Sequence, residues 1–233
     1  MGANKGGRVT WGAKGGHVAG EADGGLCRLA ACTNHGEIML DCFAGIIPVK
    51  EVPTDRERFL RLCEDGCPNY GRCYSCPPDS PTFGEYVRGF ERLLVVMFRA
   101  DLAQVKNAAP AEKDSERKAF EALDEILAPE VDRIMRRIEK TLGGRHIAAR
   151  NCALCEKCKK PEGKPCARPD DMRHCAVSLG IDCEKLAGRL FKKRLQWSGE
   201  DGSPTYISFI CALPVKIAKN KDRIYAELKS ISG

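Results

Sequence analysis

Fourteen cysteines in 233 residues, half of them with only two or three residues between neighbours, constrain this chain more than any other feature. Cysteines at such short gaps are poorly placed to bridge one another but converge readily on a common centre. A disulfide framework belongs to short exported chains. This chain is long, and its N-terminus has no charged–apolar–small export pattern. Thiolate ligation in a reducing cytoplasm is therefore the expectation, and no apolar run reaches the roughly 18 residues a membrane helix needs.

The strongest run is Cys152-Ala-Leu-Cys155-Glu-Lys-Cys158, with Cys166 following. Three thiolates at successive x2 gaps wrap one turn around a compact inorganic core, and a fourth from a nearby loop completes it. That is the binding run of a ferredoxin-type [4Fe–4S] cluster, except that Cys166 lies further away than usual. Zinc is the competing metal, because paired knuckles Cys152/Cys155 and Cys158/Cys166 make a tetrahedral site of four thiolates. The third cysteine at x2 spacing is surplus to a knuckle, so spacing favours iron–sulfur over zinc.

A second constellation is Cys63-x3-Cys67-x5-Cys73-x2-Cys76, leading into Pro77-Pro78. Its intervening Pro68-Asn69-Tyr70-Gly71-Arg72 is turn-forming text, suited to a loop folded round a metal. A site of only Cys63, Cys67 and Cys76, with Cys73 free, would leave one iron open to substrate. Cys27, Cys32, His35 and Cys42 are compatible with a third site and equally with packing. Cys175 and Cys183 read as core residues, substitute ligands or a redox pair, Cys211 as core, and His174 as structural, a ligand or a proton donor.

Lys157, Lys159, Lys160, Lys164 and Arg168 surround the principal run. A basic rim would steer an acidic electron donor or an anionic substrate. Arg168 and Arg173 are candidates to hydrogen-bond cluster sulfurs or an anion. The formal charge of +6 is mixed with 32 acidic residues, and aromatic content is only 6%, so nucleic acid is not called for. There is no P-loop, no dinucleotide fingerprint and no Cys-x3-Cys-x2-Cys radical-SAM run.

The rest of the text reads as α/β or α+β, a small mixed sheet with flanking helices and two cysteine-rich loops. Residues 1–25 read as a flexible glycine-rich tail, and 26–233 as one domain. Strands are expected at 37–52, 92–99 and 206–213, with a short one at 145–150. Helices are expected after Thr54-Asp55, over 111–142, where Phe120, Leu123, Leu127, Val131, Ile134 and Ile138 form an apolar stripe with a break or kink at Pro129, and at 170–179 and 182–191.

The strings Cys67-Pro-Asn-Tyr-Gly-Arg-Cys-Tyr-Ser-Cys-Pro-Pro78 and Cys152-x2-Cys155-x2-Cys158-x7-Cys166-x2-Pro169 are distinctive. With Asp171-Met-Arg173 and Gly180-Ile-Asp182 they resemble the DUF2284 family of predicted metal-binding proteins. The resemblance runs from about Cys63 to Ala212 and implies a cytoplasmic metal site in an anaerobic bacterium or archaeon. It implies no particular reaction. The resulting expectation is one or two [4Fe–4S] clusters, serving electron transfer or reductive or sulfur chemistry on a small substrate. A redox partner such as a ferredoxin would follow; a zinc-stabilised binding module is the alternative.

Overall fold

The computed structural model describes residues 25–33, 36–104, 115–197 and 204–216. Four strands form one antiparallel sheet in the order β1-β2-β3-β4. They span Gly25–Thr33, Gly36–Pro48, Arg92–Asp101 and Tyr206–Val215. The fold is thus α+β, with the sheet antiparallel throughout rather than mixed. Among the described residues four helices accompany it: α1 (Arg56–Gly66), α2 (Phe83–Tyr86), α3 (Ser115–Leu142) and α4 (Cys183–Phe191).

The continuous apolar run in β3 is explained by burial on both faces. Leu94, Val96 and Phe98 meet α3 on one side, together with Leu40 and Cys42 of β2 and Phe209 and Cys211 of β4. Leu93, Val95 and Met97 face the opposite layer, built from α2, α4 and the turn at Val177–Leu179. This two-residue alternation sends half of each strand to each core.

Helix α3 runs unbroken through Pro129. The predicted apolar stripe is largely realised: Leu123, Leu127, Val131 and Ile138 are buried, as is Met135, which lies outside the predicted stripe. Phe120 and Ile134 are partly buried against the same core. An interior proline costs about 3 kcal/mol. Each fully buried aliphatic side chain contributes roughly 1.5–3 kcal/mol, so the stripe outweighs it. Helix α1 starts as expected, with the Asp55 side chain accepting from the Arg58 N–H at 3.1 Å.

Two expected elements differ. The text at 145–150 forms only isolated bridges, Ile147 with Ala212 and Ala148 with Cys175. Residues 170–179 form no helix beyond the 3-10 turn at Val177–Leu179, because this chain is held extended beside Ala148. The expected tail at 1–25 lies almost wholly outside the described residues.

Two glycines make these close passages feasible. Gly144 has φ +89°, and a Cβ there would stand 2.6 Å from the Pro214 carbonyl oxygen, where the chain leaves α3 across the edge of β4. Gly180 has φ +87°, and a Cβ would stand 2.8 Å from Arg56 Cα. That tight approach lets Asp55 N–H donate to the Gly180 carbonyl at 2.7 Å.

A buried ionic group clamps α3 to the segment after it. His146 is fully buried between Glu139 (Nδ1 to Oε2, 2.6 Å) and Asp132 (Nε2 to Oδ1, 3.0 Å). Arg173, also buried, donates from Nε to the same Glu139 at 2.9 Å. Burial alone would raise the Glu139 pKa, but hydrogen bonds from Arg173 and His146 outweigh it and hold the carboxyl well below its ordinary value. A carboxylate depressed in the folded state stabilises fully above its unfolded pKa of about 4.3 and loses that effect as pH falls toward the folded value. Replacing Glu139 with Gln should therefore cost about 3–5 kcal/mol at pH 7. In chemical denaturation of both proteins the difference should shrink as the pH is lowered below about 4.

Candidate metal centre

The cysteine region is assembled from three stretches: the end of α1 with the loop to Ser80, the loop Asn151–Arg168, and the return through Arg173–Ser178. Their meeting point is an extension of the sheet. Ile147 exchanges backbone hydrogen bonds with Ala212 (2.6 and 3.0 Å), and Ala148 N–H donates to His174 O at 2.9 Å. Ala176 N–H donates back to Ala148 O at 3.0 Å. Cys175 is thereby fixed two chain passes out from β4, beyond Ile147 and Ala148.

Ser75 is the second tie. It is 1% exposed, and its hydroxyl accepts the Cys152 N–H at 3.0 Å. Its carbonyl accepts from His174 Nδ1 at 2.9 Å, which assigns the proton to that nitrogen. His174 is buried, edge-on to Tyr86, and burial lowers its pKa. It acts as a structural donor here. Tyr74 O–H donates to Lys164 O at 2.7 Å, and Lys160 pairs with Asp79, so the two cysteine loops are stitched at their rims as well.

The sulfurs fall into two groups that differ from the order in the sequence. A cavity of about 270 Å³ is lined by Cys73, Cys152, Cys155, Cys158 and Cys166. A larger one, about 480 Å³, is lined by Cys63, Cys67, Cys76, Cys175 and Cys183. Asn69 and Asn151 border both cavities and are joined across 3.3 Å, forming part of the dividing wall. Cys73 and Cys76 occupy one turn, with Cys76 N–H donating to Cys73 O at 3.1 Å. Their thiols lie in reach of each other at this wall, yet Cys73 opens on the smaller cavity and Cys76 on the larger.

Burial raises the thiol pKa of Cys63, Cys73, Cys152 and Cys175. Neighbouring thiolates raise them further: Cys175 and Cys67 act on Cys63, and Cys158 and Cys152 act on Cys73. Cys76 is pushed up to about 12 by burial, partly offset by the Ser75 hydroxyl and reinforced by Cys175, Cys73 and Cys67. Clustered buried thiols of this kind are poor acids until a cation replaces the protons.

The donor chemistry fits a soft metal centre. Around each cavity stand five cysteines, enough for the four thiolates of an iron–sulfur cluster or of a zinc site. Among the described residues, no three Cys, His, Asp or Glu side chains are drawn together tightly enough to hold a single ion.

The remaining candidates separate cleanly. Cys211 and Cys42 are buried in the core under α3, and Cys183 belongs to the opposite core as well as to the cavity wall. Cys27 lies opposite Cys42 in the β1–β2 register, while His35 falls outside the described residues. Arg168 lines the smaller cavity and pairs with Asp171 at 2.9 Å. The Arg173 guanidinium is committed to Glu139 and to the carbonyls of Asp170 and Met172; its backbone N–H is what reaches Cys152. In the basic rim, Lys159 and Lys164 pair with Glu162, and Lys160 with Asp79, so much of its field is cancelled locally. The Glu139–His146–Asp132 group escapes sequence reasoning because its members lie on different turns and carry no motif.

A cysteine-rich α+β protein built to bind metal is the class that this fold and donor set define. The chain belongs to the DUF2284 family of predicted metal-binding proteins, which it matches over residues 45–211. No curated protein and no solved structure matches it. Among the described residues no helix is long and apolar enough to cross a membrane.

Ser75 is the residue whose loss should loosen both loops together. Ser75→Ala leaves the Cys152 N–H without its partner, at a cost of about 1–3 kcal/mol for an unsatisfied buried donor. The expected result is a lower midpoint of denaturation and faster loss of bound metal to a chelator, measured against the unaltered protein.

Proposed function

We propose that this chain is an iron–sulfur protein carrying two [4Fe–4S] clusters, one in each cysteine-lined cavity, and that it transfers electrons. The observation that carries this reading is the pair of adjoining cavities, each walled by five cysteines. The x2 spacing of Cys152, Cys155 and Cys158 supports iron–sulfur over zinc. Bound there, such clusters would supply one-electron redox chemistry.

The chain's own contribution is to hold the thiols and to limit water at them. Cys63, Cys73 and Cys76 are each at most 9% exposed. The backbone N–H groups of Leu154 and Arg173 reach the Cys152 sulfur, and hydrogen bonds to ligating sulfurs tune a cluster's potential. A reduced small protein such as a ferredoxin is the class of donor this reading calls for.

A second reading has one observation in its favour. The larger cavity continues past its cysteines to Phe120, Phe209 and Gln196, and its border includes the exposed Leu62 and Trp197. That apolar space suits a small substrate undergoing reductive or sulfur chemistry. It would require an iron with no protein ligand.

Purification without oxygen, followed by a visible spectrum and joint assay of iron, acid-labile sulfide and zinc, tests the proposal. The expected protein is brown, absorbs near about 400 nm, and holds about eight irons with an equal amount of sulfide. A colourless protein holding stoichiometric zinc and no sulfide would overturn it.

A further inference from the structure

Cys73 and Cys76 are neighbours in the sequence and look like partners in one site, but they open on different cavities. We propose that the ligands of the larger centre are Cys63, Cys67, Cys76 and Cys175, with Cys175 taking the place that sequence order would give to Cys73. The inference deepens the iron–sulfur reading and rests on it for the nature of the metal.

Three of the four ligands come from one continuous stretch. Cys63 lies in the last turn of α1, and Cys67 caps that helix, its N–H donating to Cys63 O at 3.1 Å. The chain then turns through Gly71, whose N–H donates to Pro77 O at 2.9 Å, and this closure brings Cys76 back beside the helix end. The fourth ligand must come from elsewhere. Cys175 arrives from the opposite side, on the rung held by Ala148.

Cys175 has features of a ligand that Cys183 lacks. As a residue it is less buried than Cys183, and its sulfur accepts the Ser178 N–H at 3.3 Å. Backbone N–H donors of this kind favour a sulfur carrying negative charge. The turn that provides it is anchored: Ser80 Oγ donates to Ser178 O at 2.8 Å, and Arg56 also reaches that carbonyl. Cys183, by contrast, is buried at the first turn of α4 among Leu186, Ala187 and Phe191, where its thiol serves as a small apolar side chain.

The charge arrangement agrees. Arg56 acts on Cys63, and Arg150, which also pairs with Asp124, lies near Cys175 and Cys67. These guanidiniums offset part of the negative charge that four thiolates bring together.

Cys73 is left at the wall of the smaller cavity, in contact with Asn69 Oδ1 at 3.7 Å. There the loop Cys152–Cys166 already supplies four cysteines, so Cys73 is a spare thiol between the two centres. Two consequences follow. The larger centre is closed, with a thiolate for every iron, and so is suited to passing electrons rather than binding substrate at an open iron. The two centres are also near neighbours, separated by the Cys73–Cys76 turn and the Asn69–Asn151 pair.

The test compares full-length Cys175→Ala, Cys175→Ser, Cys73→Ala and unaltered protein, all purified without oxygen. Iron and sulfide are counted and the electron paramagnetic resonance spectrum of the reduced protein is recorded. Cys73→Ala should keep the full iron count and spectrum. Cys175→Ala should lose up to half the iron while the signal of the other centre persists. Cys175→Ser, which keeps the side-chain volume, should alter one centre's signal only, so the assignment remains testable if the alanine variant fails to fold. Loss of half the iron in Cys73→Ala, with an unaltered spectrum in Cys175→Ser, would overturn the assignment. If the unaltered protein holds zinc without sulfide, the iron–sulfur reading fails, and the same variants judge the grouping by zinc count. Loss of one zinc from Cys175→Ala and none from Cys73→Ala would support it, and the reverse would overturn it.

Discussion

His146, Ile147 and Ala148 hold together what would otherwise be three unrelated loops. The imidazole of His146 is gripped by two carboxylates of α3, Ile147 pairs with the exposed edge of β4, and Ala148 pairs with the strand-like chain around Cys175. One short extended segment thus connects the helix on one face of the sheet to the cysteines beyond its edge. The two hydrogen bonds between Ile147 and Ala212 also satisfy backbone groups on that edge that would otherwise be unpaired. The cost of ordering the glycine- and proline-rich cysteine loops is offset by this frame and by whatever metal they bind.

Elements whose pattern is set by local burial are legible from the text alone. The apolar run Leu93–Phe98 is a doubly covered strand, Tyr206–Leu213 is a strand, and the stripe from Leu123 to Ile138 is one face of a helix. The proline at 129 looks like a divider, and tertiary packing overrides it. Strand β1 is hidden in the text, because Cys27 and Cys32 suggest a metal site where the alternation is that of a hairpin partner to β2. The 170–179 stretch has helical composition, but Arg173 and His174 are committed to Glu139 and Ser75, and those bonds hold the chain extended.

The principal cysteines are legible as ligand candidates; their grouping is not. Spacing reports how far apart two sulfurs lie along the chain, and a single turn can present them to different spaces. That is the situation of Cys73 and Cys76. The nearness of Cys175 to Cys63 depends on a bridge between residues 148 and 175, and nothing in a linear pattern encodes it. The basic rim misleads in the opposite way, since the lysines are visible and the acids that pair with them, Asp79 and Glu162, carry no signal of their own.

The proposed arrangement of two metal clusters in two adjacent cysteine-lined cavities is open to direct test. Anomalous diffraction at the iron edge, from crystals grown without oxygen, addresses it directly. The account predicts two compact iron peaks, one among Cys63, Cys67, Cys76 and Cys175 and the other inside the loop Cys152–Cys166. A single peak spanning both groups, or anomalous signal at the zinc edge alone, would contradict it.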